Sequence, residues 1–170
     1  MNNSEGLDNK IICGDNVETL AAFPADSIDL TVTSPPYDNL RTYGGHSWDF
    51  EGIAQQLWRV TKTGGVVVWV VADATIDGSE TGTSFRQALR FMELGFRLHD
   101  TMIYETTKQP QNSNRYEPKF EFMFVLSRDT PATWNPLQER STYAGTKTGA
   151  TYRQQDGTLK ERHGGPGIAE

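Results

Sequence analysis

Four consecutive residues, Ser34-Pro35-Pro36-Tyr37, bring together groups able to do chemistry on a polar ligand. Each proline fixes its own φ and holds the residue before it extended, so Ser34 and Pro35 are both stiff. A hydroxyl and a carbonyl held side by side can accept the two hydrogens of an exocyclic amino group. The ring of Tyr37 can stack on the heterocycle that carries it. The tetrapeptide thus reads as a receptor for an aminated base. The competing reading is structural: a strand that ends in a Pro-Pro turn, with the tyrosine packed against the core. Other chemistries have less to work with. Cys13 is the single cysteine, with no proline beside it, and reads as a small core residue. His46, His99 and His163 are scattered, with His99 at an outward position of a strand, so neither a disulfide framework nor a metal site is expected.

The elements around the tetrapeptide alternate between strand and helix. Ile11-Ile12-Cys13 is a short apolar run, and Asp15 or Asn16 can cap the helix after it, with Val17, Leu20 and Ala21 on one face. Ile28 to Thr33 shows apolar and β-branched residues in period two and stops at Ser34-Pro35-Pro36, which puts the prolines just past the end of a strand. Asp49 can cap a helix carrying Phe50, Ile53, Leu57 and Val60, with Gly64-Gly65 as its stop signal. Val66 to Val71 is unbroken apolar sequence, as expected of a parallel strand covered on both faces. Ser84-Phe85-Arg86-Gln87 reads as a capping box that opens a helix with Phe85, Ala88, Leu89 and Met92 inward and Gly95 at its end. Leu98 to Thr106 and Phe120 to Ser127 are separated by a polar loop without a crossover helix, so they are expected to pair as an antiparallel hairpin. After Asp129 no periodic segment is found. The expected organisation is an α/β region over 1–128 and an irregular segment over 129–170, which is either an extended recognition region or disordered by itself.

Bulk properties narrow the class. One globular core suits 170 residues with 36% hydrophobic content. No apolar run reaches signal-peptide or membrane-spanning length, so a cytoplasmic protein without a membrane partner is expected. The net charge of −6 argues against holding nucleic acid by bulk electrostatics. The charge is uneven: Lys10, Arg41, Arg59 and Lys62 face twelve acidic residues up to position 80, whereas basic residues lead between Ser84 and Arg128. If a polyanion is bound, the second half is expected to bind it; an ordinary solvated surface is the alternative.

Taken together, Gly14-Asp15 after an apolar run, Asp29 to Tyr37, and Gly64-Gly65 before Val66 to Val71 resemble the N6-adenine and N4-cytosine DNA methyltransferases. Within them, the order resembles the group whose catalytic motif precedes the donor-binding motif. The resemblance runs from Ile11 to about Arg128 and is most specific at residues 33–37. It implies a Rossmann-like sheet of parallel strands with a C-terminal antiparallel hairpin, DNA as partner, and S-adenosylmethionine as donor. It implies catalysis by Ser34, Pro35, Pro36 and Tyr37, and donor contacts by Asp15 and Thr33, although Asp15 can equally be a helix cap. Arg41, Tyr43 and Arg115 are the candidate DNA contacts, with plain loop positions as the alternative. In that family Asp at the first motif position goes mainly with adenine N6, so Ser34 leans toward cytosine N4, though hydrogen-bond counting does not separate the two bases.

The resemblance breaks at the donor site. The family's Phe-x-Gly-x-Gly loop between a strand and a helix has no counterpart here: Gly64-Gly65 precedes a strand, and Gly164-Gly165-Pro166-Gly167 follows none. The family order would put that loop after Glu170. A catalytic piece with an incomplete sheet is therefore expected, its Ile28 to Thr33 strand left as a bare edge that calls for a missing C-terminal half or a second subunit. An inactive or split-enzyme piece that retains nucleic-acid binding is the alternative reading.

Overall fold

The computed structural model describes residues 9–37, 48–107, 114–116, 119–136 and 151–161. The chain divides into two units, Met1–Thr133 and Trp134–Glu170.

In the first unit, α1 (Asn16–Ala21) opens where Asp15 Oδ1 accepts from the Glu18 amide at 3.0 Å. β1 (Ile28–Thr33) follows. α2 (Phe50–Val60) starts at Asp49, whose side chain accepts from the Gly52 amide, and buries Ile53, Ala54, Leu57 and Val60. β2 spans Thr61–Val71. A small hairpin, β3 (Thr75–Ile76) and β4 (Ser79–Glu80), turns through Asp77 and Gly78, both at positive φ. α3 (Thr83–Leu94), β5 (Arg97–Glu105) and β6 (Phe120–Ser127) complete the unit. The second unit contains a hairpin of β7 (Thr151–Arg153) and β8 (Leu159–Glu161) within the tail expected to lack regular elements.

The main sheet has the order β1-β2-β6-β5. β1 and β2 run parallel, while β6 pairs antiparallel with both β2 and β5. The β5–β6 hairpin is the one expected from the absence of a crossover helix. Residues Val67, Trp69 and Val71 of β2 form the core with Ile53, Ala54 and Leu57 of α2, Ala88 and Phe91 of α3, and Phe124 and Leu126 of β6. Trp69 meets Phe91 edge-to-face at 5.0 Å, and its Nε1 donates to Gln87 Oε1 at 2.9 Å.

Four local expectations are corrected. Gly64-Gly65 does not end α2; it lies inside β2, where Gly64 takes φ +81° and a Cβ would collide with Ala132 at 2.8 Å. Among the described residues, α2 and α3 both pack on the Val67, Trp69 and Val71 side of β2, and Val66, Val68 and Val70 on its other face are half-buried, not fully covered as expected. Ile11-Ile12-Cys13 forms no strand and pairs with no strand among the described residues, and all three side chains are exposed, so Cys13 is not the core residue expected.

The fourth concerns α3. The capping box is absent: Gly82 occupies the N-cap without a side-chain bond, and the helix start is held from outside by Asp73. Asp73 accepts from the Ser84 amide at 2.8 Å and from Ser84 Oγ at 2.6 Å. The buried face is Ser84, Gln87, Ala88 and Phe91, and Phe85, Leu89 and Met92 are exposed. Remote partners satisfy the two polar residues, so a stripe with polar members can face inward. Asp73→Ala should therefore destabilise the chain by about 2 kcal/mol, since the buried Ser84 hydroxyl and amide lose their acceptor. A denaturant midpoint unchanged from wild type would remove this assignment.

Candidate active site

β1 ends where it does because Ser34-Pro35 cannot continue a ladder, and Thr33 sits opposite Trp69 of β2. The carboxyl ends of β1 and β2 thus share one edge of the sheet, the edge at which open α/β folds hold ligands. β6 runs the other way, with Phe122 opposite Val71, so its first residues arrive at that same edge. Three side chains meet there. Tyr37 Oη donates to Glu121 Oε2 at 2.7 Å, and Ser34 Oγ lies 2.7 Å from Tyr37 Oη.

Ser34 is exposed, Pro35 is buried, and Pro36 and Tyr37 are half-buried. The Tyr37 ring packs against the hydrophobic core. Tyrosine and proline anchor the bend, and the serine hydroxyl stands at the surface. Glu121 was missed in the sequence, where its signal is a lone charge inside the apolar strand Phe120–Ser127.

The remaining candidates are placed as follows. Asp15 caps α1 through Oδ1, and Thr33 is half-buried at the end of β1. Arg41 and Tyr43 lie outside the described residues. Arg115 is bound to the β3–β4 hairpin, donating to the Gly78 carbonyl at 2.8 Å and to Glu80 Oε1 at 3.0 Å. His99 is exposed on β5. Much of the basic excess between Ser84 and Arg128 is spent on local ion pairs: Arg90 with Glu51 and Glu93, Arg97 with Asp129, Arg115 with Glu80, and Arg128 with Asp26.

A separate cavity of about 360 Å³ is lined by Trp48, Phe50, Glu51, Thr83, Arg86, Gln87 and Arg90. The Arg90 guanidinium beside Glu51 holds its carboxyl down to about 2, so this carboxylate is a fixed anion at neutral pH and not a proton donor. Among the described residues no group of three or more metal-binding side chains occurs, and no helix is long and apolar enough to cross a membrane.

The architecture has counterparts among solved structures. A candidate DNA modification methylase of Thermus thermophilus, solved with S-adenosyl-L-methionine, aligns with a TM-score of 0.54 at 28% identity, over 75% of this chain and 58% of that one. PvuII DNA methyltransferase, cytosine-N4-specific, aligns at 0.56 with 21% identity over 69% of this chain and 49% of that one, a likeness of fold. The fold is that of Rossmann-like methyltransferases. The DNA methylase family model matches residues 28–166, and the chain belongs to that family. The orphan methyltransferase M.BamHII of Bacillus amyloliquefaciens is 58% identical over 141 residues, 81% of this chain and 53% of that protein. The type II methyltransferase M.BglII of Bacillus subtilis is 38% identical over 82% of this chain and 41% of that protein. The chain thus spans about half the length of these curated relatives, or less.

Proposed function

We propose that the chain carries the base-receiving site of a DNA methyltransferase that transfers a methyl group from S-adenosylmethionine to an exocyclic amino group of cytosine (N4) or adenine (N6), with Ser34 leaning toward cytosine. The observation that carries the proposal is Ser34, exposed at the carboxyl edge of the sheet and tied through Tyr37 to Glu121.

The chemistry follows from the target. The amino nitrogen of either base is a poor nucleophile because its lone pair is conjugated with the ring. Ser34 Oγ and the Pro35 carbonyl, accepting its two hydrogens, favour a pyramidal nitrogen with a localised lone pair. The base must leave the duplex to reach them, and the part of the Tyr37 ring not packed on the core offers it a stacking surface. S-adenosylmethionine, when bound, supplies an electrophilic methyl group. Of the residues described, Asp15 and Thr33 would hold its margin; Asp15 Oδ1 serves the α1 cap, which leaves Oδ2 as the oxygen for the donor. The glycine loop that would cradle the rest has no match in this sequence, so a donor site built by these residues alone is not proposed.

A second reading, a catalytic piece that works only with further polypeptide, is favoured by the edge position of β1, where Leu30 and Val32 are 58% and 66% exposed. One experiment addresses both. The chain is incubated with DNA and labelled donor, by itself and together with a donor-loop segment supplied as an extension or a second chain, and the DNA is digested to nucleosides. N4-methylcytosine or N6-methyladenine is the expected product. Label in neither, under any of these conditions, would refute the proposal; label appearing only with the added segment would select the second reading.

A further inference from the structure

The three-residue contact at the sheet edge fixes more than distances, because the protons in it can be counted. Tyr37 has one hydroxyl proton, and a carboxylate can only accept. At 2.7 Å the phenol therefore donates to Glu121 Oε2. In the second contact, also 2.7 Å, either oxygen can act as donor as far as geometry goes. With the tyrosine proton already committed to Glu121, the donor there has to be Ser34.

We infer that Glu121 is a positioning residue that fixes Ser34 as a hydrogen-bond acceptor, making the pocket selective for amino-bearing over carbonyl-bearing bases. The inference rests on the base-pocket reading of Ser34 and goes one step further. Once the single proton of Ser34 is spent on Tyr37, its oxygen presents lone pairs to a ligand. An amino group, which brings hydrogens, matches that surface; the ring carbonyl of a deaminated base meets it lone pair to lone pair. Without the carboxylate, Tyr37 can donate to Ser34 instead, and the serine proton can turn outward toward a carbonyl. Glu121 sits half-buried opposite Tyr104 of β5, and needs no contact with the base to have this effect.

The test uses a form of the protein that methylates DNA. For Glu121→Ala and Glu121→Gln, kcat and KM are measured, together with Kd for duplexes carrying either the target base or its carbonyl counterpart, uracil for cytosine or hypoxanthine for adenine. Glu121→Ala should lose roughly tenfold of the amino-over-carbonyl preference and lower kcat roughly ten- to hundredfold, with KM for DNA changed less than about threefold. Glu121→Gln, whose amide oxygen can still accept from Tyr37, should keep the preference within about threefold of wild type. Glu121→Met fills a similar volume and serves the same purpose should the alanine variant fail to fold. An alanine or methionine variant with undiminished preference, beside an active wild type, overturns the role of Glu121 alone. A wild type that neither transfers methyl nor prefers the amino base overturns the pocket reading and this inference with it.

Discussion

Ser34→Ala is expected to lower methyl transfer by roughly a hundred- to a thousandfold, the range found when one polar group aimed at a developing charge is removed. The side chain is exposed, so the loss should come with little change in stability, within about 0.5 kcal/mol. Tyr37→Ala should reduce transfer at least as far, but for mixed reasons. It removes the stacking surface, breaks the link between Ser34 and Glu121, and takes away a half-buried ring that packs on the core. Tyr37→Phe separates these effects, keeping the ring and removing only the hydroxyl, and should fall between wild type and the alanine variant. Label incorporation at saturating DNA and donor is the measurement, with thermal unfolding of each variant as control. Transfer by Ser34→Ala at the wild-type rate would rule out the assignment.

Trp69→Ala should have the largest effect on stability, about 3–5 kcal/mol. Trp69 is 1% exposed and contacts Phe50 and Phe91 with its ring, and its truncation also strips the buried Gln87 of its donor. Against a total stability of about 5–15 kcal/mol for a typical domain, such a loss would leave a substantial unfolded population. Because Trp69 stands opposite Thr33, the damage should reach the bend at Ser34 as well. The contrast is Leu89→Ala, on the outer face of α3, which should cost no more than about 0.5 kcal/mol. Urea unfolding of both variants checks the pair. Equal midpoint shifts would mean that the inward face of α3 has been assigned incorrectly.

The two helix readings show where pattern suffices. In α2 the apolar positions, the Asp49 cap and the buried face coincide, because every buried residue there is apolar and needs no partner beyond the core. In α3 the same counting holds for Ala88 but turns Phe85, Leu89 and Met92 inward, and these three are exposed. Its buried Ser84 and Gln87 are tolerable only because Asp73 and Trp69 come from elsewhere in the chain to bond them, and helical periodicity carries no record of those partners. β2 misled in a similar way: an unbroken apolar run fits burial on both sides, yet α2 and α3 lie on the same side.

The amino-acid sequence by itself determined the bend at Ser34-Pro35-Pro36, since proline sets φ locally. It also determined the end of β1 and the β5–β6 hairpin, which follow from alternation and from a loop lacking a helix. Only the tertiary structure decided what faces that bend. Glu121 lies 84 residues beyond Tyr37, and reaches it because β6 enters the sheet antiparallel to β2 and so begins at the edge where β1 ends. Strand direction and neighbour order are set by burial across the whole sheet, a cooperative property that no short window of residues contains.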